Sequence, residues 1–187
     1  MPSLSEAERR SALELARRAI EEGVTRQRLP ENIPTTGIFA NRGGVFVTVH
    51  ARGKLRGCIG VIEADEPLGE AIVRCAASAA LHDPRFPAMR ADELAWLWIE
   101  ISILSPLAPI TPEEIEIGRH GLLIASSSQR GLLLPQVAVE HRLTRELFLE
   151  ETCKKAGLPR DAWRDPTVKI FGFVCEVFSD EKHAAAS

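Results

Sequence analysis

One long strand constrains the fold of this 187-residue chain more than any other segment. Over residues 96–104 the side chains of one set, Trp96, Trp98, Glu100 and Ser102, alternate with those of a second set, Leu97, Ile99, Ile101 and Ile103. Because successive side chains of a strand point to opposite faces, the second set forms one continuous apolar face. The segment therefore predicts a long strand with that face buried in a core.

A β-hairpin is predicted about 40 residues earlier in the chain. Residues 44–50 are rich in β-branched and aromatic side chains, and residues 51–54 have the composition of a turn. Residues 55–62 then return as a second strand. A helix follows from Pro67 to Leu81, and its small residues suit close packing against the sheet.

The remaining segments alternate between helix and strand without an internal repeat. Ser5 and Glu8 form a capping-box pattern at the start of a helix over residues 5–22. The further predicted helices cover residues 91–94, a segment from Pro135, and residues 144–157. The further predicted strands cover residues 115–117, 122–125, 131–134 and 168–178.

Composition excludes several classes of function. The formal charge is −3 and its charged residues are interspersed, so neither nucleic acid nor a membrane surface is expected as a partner. No stretch approaches the roughly 20 apolar residues that a membrane span needs. Four widely separated cysteines, without a C-x-x-C pair, predict reduced thiols, a cytoplasmic protein and no metal site. Neither a phosphate-binding loop nor a dinucleotide fingerprint is present, so no cofactor is inferred.

The second strand of the hairpin carries the most unusual motif, Leu55-Arg56-Gly57-Cys58-Ile59-Gly60. Alternation predicts that Leu55, Gly57, Ile59 and Val61 share one face, and that Arg56, Cys58 and Gly60 share the other. A cation close to a cysteine favours the nucleophilic thiolate. The pattern predicts a functional site on this strand without identifying a reaction.

Each residue of this motif also has a purely structural interpretation. Cys58 is either a reactive nucleophile or a small buried apolar residue, and no base is evident among His50, His82 and His120. Gly57 and Gly60 either admit a ligand or phosphate to the backbone or allow a bulge and tight helix packing, and the structural use is the commoner one. Arg56 either binds a carboxylate or phosphate or forms an ion pair with Glu63, Asp65 or another acid.

Two segments outside the strand contribute further candidates. In the loop His82-Asp83-Pro84-Arg85-Phe86-Pro87, either Asp83 and Arg85 pair with each other or their side chains face a cleft. Arg85 is the stronger functional candidate because the prolines restrict its backbone while its long side chain stays free. His120 either reaches the same cleft or is an ordinary turn residue before a strand.

Four segments, in this order and spacing, closely resemble the AMMECR domain family, whose prokaryotic members are called AmmeMemoRadiSam system protein A. They are residues 55–60, 83–87, 118–122 and 134–138. The resemblance covers residues 5–179 and implies one domain of α/β (α+β) class, with a larger and a smaller subdomain built on mainly antiparallel sheet flanked by helices. Residues 180–187 are then expected to form a flexible tail.

The resemblance also has implications for the function. The family name implies a pathway shared with a MEMO-type protein and a radical S-adenosylmethionine enzyme, and it implies no established reaction. We expect a component that binds a small-molecule or peptidic ligand in a cleft formed by Arg56, Gly57, Cys58, Gly60, Arg85 and His120. The alternatives are a non-catalytic adaptor that docks on a pathway enzyme, and an enzyme that uses Cys58 as its catalytic nucleophile.

Overall fold

The computed structural model describes residues 4–63 and 65–180. Its described residues fall into two compact units, one running to Leu104 and resuming at Glu176, the other spanning Ser105–Cys175. The α-helices are α1 (Glu6–Arg26), α2 (Leu68–Leu81), α3 (Pro135–Glu140) and α4 (Arg145–Lys155). The strands are β1 (Val45–Ala51), β2 (Lys54–Val61), β3 (Leu97–Leu104), β4 (Ala108–Pro109), β5 (His120–Ala125), β6 (Arg130–Leu133) and β7 (Lys169–Ser179). Short 3-10 helices cover Gly37–Ala40, Ala91–Trp96, Pro112–Glu114 and Ala162–Arg164.

The first unit is built around the predicted hairpin. Strands β1 and β2 pair antiparallel through a two-residue turn whose central residues, Arg52 and Gly53, both have positive φ. The strand order is β2-β1-β3, followed by β7, so β2 lies at the edge. The long strand β3 pairs antiparallel with β1, and its alternate residues from Leu97 to Ile103 are buried as predicted.

A β-bulge interrupts β2 at Arg56. Val49 pairs with Gly57 and the next residue, His50, pairs with Leu55, so Arg56 has no ladder partner on β1. Since neighbouring residues on β1 face opposite ways, Leu55 lies on the opposite face from Gly57. The predicted common face of Leu55 and Gly57 is therefore wrong, because strict alternation does not survive an inserted residue.

Helices α1 and α2 supply the apolar side chains that cover the sheet of the first unit. Ser5 caps α1, and its hydroxyl and backbone exchange hydrogen bonds with Glu8, as the capping-box pattern predicts. The helix runs one turn past the predicted end. Ile20, Ile72 and Ile99 are fully buried in the resulting core.

The second unit has its own sheet and its own core. Strand β7 pairs antiparallel with β4 and with β5, and β5 pairs with β6. The core of this unit contains Leu122, Ile124, Phe148, Leu149 and Cys153. Helix α4 begins after its N-cap Thr144 and ends before Gly157, whose φ of +76° suits glycine.

The mixed α/β class with antiparallel sheet and flanking helices is confirmed. The strand predicted over residues 115–117 is wrong, because these residues enter a turn in which Arg119 and His120 donate backbone hydrogen bonds to the Glu116 carbonyl. The assignment of residues 5–179 to one domain stays a proposal. Of the predicted tail at 180–187, only Asp180 is among the described residues, and its carboxylate accepts a hydrogen bond from Arg17 at 2.6 Å.

Candidate functional site

The loop after α2 covers the edge strand at Cys58. The Cys58 backbone N–H donates to Asp83 Oδ2 at 2.9 Å, and the Cys58 carbonyl accepts from Arg85 Nη2 at 3.2 Å. These are the backbone groups that an additional strand would bind. Two side chains thus take the place of a neighbouring strand at this one residue, and they fix the Cys58 backbone from its outer side.

Asp83 and Arg85 also bind each other. Arg85 Nη2 lies 2.7 Å from Asp83 Oδ2, and the Arg85 backbone N–H donates to Asp83 Oδ1 at 3.1 Å. The hydrogen bond from the Arg85 side chain is the largest cause that lowers the pKa of Asp83 below its ordinary value, with the Cys58 N–H adding to it. Asp83 is buried, whereas the Arg85 side chain is 58% exposed, so this guanidinium is bound on one side and open to solvent on the other.

The Cys58 thiol is half-buried and accepts a hydrogen bond from a side chain of β1. The Thr48 hydroxyl on β1 donates to Cys58 Sγ at 3.3 Å, and Thr48 is the direct cross-strand partner of Cys58. Asp83 is the largest cause that raises the pKa of Arg85, and Cys58 contributes to the same shift. Arg85 is therefore a cation that lies close to Cys58 and bonds to its backbone carbonyl.

Burial raises the pKa of each of the other three cysteines. Burial raises the pKa of Cys75 to about 11 and that of Cys175 to about 12. Burial also raises the pKa of Cys153, which lies in the core of the second unit. All four cysteines are free thiols, and burial favours the protonated form of these three.

The Arg56 side chain forms hydrogen bonds with other residues of the first unit. Its Nε donates to Glu93 Oε1 at 2.6 Å and its Nη2 donates to the Pro87 carbonyl at 3.1 Å. The hydrogen bond with Glu93 is the largest cause that raises the pKa of Arg56. Arg56 thus takes the ion-pair alternative, with an acid that lies 37 residues away in sequence.

Gly57 and Gly60 lie against protein rather than open space. A Cβ at Gly57 would lie 1.8 Å from the Ala79 carbonyl oxygen of α2, and one at Gly60 would lie 2.3 Å from the Phe46 ring. Gly57 therefore permits a helix to cross directly over the strand. Their predicted role as direct ligand contacts stays a prediction.

Residues that sequence reasoning did not assign to the site share the sheet face of Cys58. Thr48 pairs with Cys58 on one side and with Glu100 of β3 on the other. In the next row His50 pairs with Trp98, and their rings lie 4.6 Å apart. The hairpin register would have identified Thr48, whereas Glu93 and Glu100 carry no local signal.

His120 lies in the second unit, at the start of β5. Its Nδ1 accepts a hydrogen bond of 3.1 Å from the Glu116 backbone N–H. It is one of the residues around a cleft in that unit, together with Glu114, Glu116 and Arg119. Its predicted role as a ligand contact stays a prediction.

No cluster of three or more metal-ligating side chains occurs within residues 4–63 and 65–180. No helix in the same part of the chain combines the length and the apolar character that crossing a membrane requires.

Comparison with known proteins gives consistent matches along most of the chain. The AMMECR1 family model matches residues 13–178. A protein of Methanothermobacter thermautotrophicus is 42% identical over 188 residues, covering 95% of this chain and 97% of its own length. A protein of Thermococcus kodakarensis is 44% identical over 181 residues, covering 89% and 87%. The crystal structure of an uncharacterized protein from Pyrococcus horikoshii superposes with a TM-score of 0.86 at 38% identity, covering 96% and 94%.

Proposed function

This chain belongs to the AMMECR1 family, and from that premise we propose that it binds an anionic ligand at Cys58 and Arg85. The ligand is a small molecule, or part of a peptide, that carries a carboxylate or phosphate group. The observation that carries the proposal is the arrangement of Arg85, whose guanidinium is bound to Asp83 and to the Cys58 carbonyl yet remains 58% exposed. An anion that reaches this guanidinium lies beside the thiol.

The chemistry of Arg85 supports an anion in particular. Its hydrogen bonds within the described part of the chain use Nε and Nη2, which leaves Nη1 to donate to a ligand. Guanidinium groups bind carboxylates and phosphates in a planar geometry, and a group already held in position loses little freedom when it binds. Asp83 and the flanking prolines provide that rigidity.

Binding is favoured over catalysis by the hydrogen bonding of the sulfur. Many nucleophilic cysteines have an adjacent base that takes their proton. The hydrogen bond at Cys58 Sγ comes instead from the Thr48 hydroxyl, which is not a base. Within the described residues no histidine or carboxylate accepts a hydrogen bond from this sulfur. We therefore assign Cys58 to ligand contact and keep its use as a nucleophile as the alternative. We also propose a cytoplasmic location, because free thiols stay reduced in that compartment.

Two alkylating reagents of nearly equal size test the proposal. Iodoacetate is anionic and iodoacetamide is neutral, and each transfers a two-carbon group to the thiolate while iodide leaves. We expect the ratio of the two rates at Cys58 to exceed that of N-acetylcysteine by about fivefold, the effect of one exposed ion pair. Peptide mass spectrometry of the native protein separates Cys58 from Cys75, Cys153 and Cys175.

Three variants make the alkylation experiment specific. Arg85→Gln should abolish the preference for iodoacetate, Arg85→Lys should retain part of it, and Arg90→Gln, at another exposed arginine, should leave it unchanged. Thermal melting checks that each variant is folded. A rate ratio equal to that of N-acetylcysteine, or one that Arg85→Gln leaves unaltered, overturns the proposal.

The adaptor function remains a second candidate because of two exposed apolar residues in the first unit. Leu55 is 38% and Trp96 is 47% exposed, and both lie where β1 ends at Ala51. The partners to test are a MEMO-type protein and a radical S-adenosylmethionine enzyme, which the family resemblance implies. A stable complex that survives Cys58→Ala and is lost in Trp96→Ala favours the adaptor. A complex unaffected by Trp96→Ala counts against it.

A further inference from the structure

The second unit contains a cleft that no part of the proposed function uses. Its volume is about 510 Å³, within the range typical of small-molecule sites. Gly172 and Val174 of β7 contribute to it, as do His120 of β5 and the apolar residues Pro106, Pro109 and Ile110. Glu114, Glu116 and Arg119 add charged groups, so the cleft has an apolar part and a polar part.

The hydrogen bond to His120 determines which ring nitrogen carries its proton. The Glu116 backbone N–H donates to Nδ1 at 3.1 Å, so Nδ1 is the acceptor of the neutral ring and Nε2 bears the hydrogen. Nε2 makes no hydrogen bond within the described residues. His120 therefore offers one N–H donor to a molecule in the cleft.

The two carboxylates of the cleft differ in their charge balance. Glu116 accepts a hydrogen bond from Arg119 Nη1 at 2.8 Å, so the positive charge of Arg119 balances the negative charge of Glu116. Glu114 accepts from the backbone N–H and the hydroxyl of Thr111 through Oε2, and these bonds lower its pKa. Glu114 forms no salt bridge within the described residues, although a charge on the nearby His120 ring also lowers its pKa. When that ring is neutral, Glu114 contributes a carboxylate without a paired cation.

We propose that this cleft binds a small primary amine with an apolar body. The ammonium group pairs with Glu114, the apolar body contacts Pro106, Pro109 and Ile110, and a carbonyl or hydroxyl oxygen of the ligand accepts from His120 Nε2. The proposal is independent of ligand binding at Cys58, because every group it uses belongs to the second unit.

Leucinamide is a suitable probe because it carries an ammonium group, an apolar side chain and a carbonyl. N-acetyl-leucinamide is its neutral counterpart, in which an acetamide replaces the ammonium group. In heteronuclear NMR spectra of the full chain, we expect leucinamide to shift the backbone signals of His120, Gly172 and Val174. N-acetyl-leucinamide should leave them in place at the same concentration.

Two neighbouring glutamates provide the variant and its control. Glu114→Gln keeps an oxygen that accepts from Thr111 and removes the charge, so it should weaken leucinamide binding about tenfold. Glu113→Gln removes an exposed charge that does not line the cleft and should have no effect. Absence of shifts with leucinamide, equal binding of the acetylated compound, or unchanged affinity in Glu114→Gln overturns the proposal.

Discussion

Cys58 lies in an edge strand, where the backbone N–H and carbonyl of a residue ordinarily face water or a neighbouring chain. Here Asp83 and Arg85 bind both groups, so the edge is closed at the residue that bears the thiol. A pair of opposite charges two residues apart is common in loops. In this protein the Asp83–Arg85 pair also bonds to the backbone N–H and carbonyl of Cys58. If the two side chains bonded only to each other, both backbone groups would face solvent.

The buried carboxylate of Asp83 gives the first stability prediction. We expect Asp83→Asn to lower the free energy of unfolding at pH 7 by about 1–3 kcal/mol, because an amide accepts the Cys58 and Arg85 hydrogen bonds less well than a carboxylate. Urea denaturation of the wild type and the variant measures this difference. Asp92→Asn, at an exposed carboxylate, is the control and should change little.

The same variant has a pH dependence whose direction follows from the pKa of Asp83. Its pKa is lower in the folded protein than in the unfolded chain, so its stabilising effect is complete above the unfolded value of about 4. The effect declines as the pH falls below that value towards the folded pKa. The difference between wild type and Asp83→Asn should therefore shrink at pH 3. A difference that grows on acidification would contradict this assignment.

Helix α2 and strand β2 approach each other so closely at Gly57 that no side chain fits. The crossing brings the end of α2, and hence the loop with Asp83 and Arg85, to the outer side of β2. The glycine next to Cys58 thus acts on the site through the position of a helix. The neighbouring residue Arg56 bonds to Pro87 and Glu93, and so connects β2 to the segment that follows the loop.

Gly57→Ala tests this packing. A methyl group 1.8 Å from the Ala79 carbonyl oxygen forces α2 away from the strand, which should cost about 1–3 kcal/mol of unfolding free energy. It should also raise the alkylation rate of Cys75, which is a buried residue of α2. Gly43→Ala, where the nearest atom is 3.7 Å away, is the matched control. Equal stability of the two variants would refute the packing role of Gly57.

At this scale the sequence predicts elements well where the pattern is long or the turn is specific. The alternation over residues 96–104 and the turn composition of residues 51–54 both lead to the observed strands. The three-residue pattern at 115–117 is too short, since Ile115 is apolar because it is buried at the base of a turn. A glycine inside a strand is a general signal for a bulge, and Gly57 follows the bulged Arg56, but the position of the bulge depends on the pairing with β1.

Residues 4–63 and 65–180 contain two hydrophobic cores rather than one. Ile72 is fully buried in the core of the first unit, and Phe148 is fully buried in that of the second. No buried residue belongs to both clusters within the described chain. Each unit therefore has its own source of apolar stabilisation.

Cavity-forming variants test this separation. Phe148→Ala should cost about 3–5 kcal/mol and Ile72→Ala about 2–5 kcal/mol. We expect hydrogen exchange followed by mass spectrometry to show faster exchange mainly in residues 105–175 for Phe148→Ala, and mainly in α2 and β1–β3 for Ile72→Ala. Equal acceleration across the chain in both variants would show that the two cores unfold as one.

By itself the sequence determined the α/β class, most strands and helices, the family, and the strand on which the candidate site lies. These follow from local periodicity, capping and turn chemistry, and from motifs of fixed order. The tertiary structure decided which arginine bonds to Cys58, because Arg56 is bonded to Glu93 while Arg85 donates to the Cys58 carbonyl from 27 residues away in the chain. It also gave His120 a cleft of its own in the second unit. Such partnerships depend on where the folded chain brings distant side chains, which no local pattern encodes.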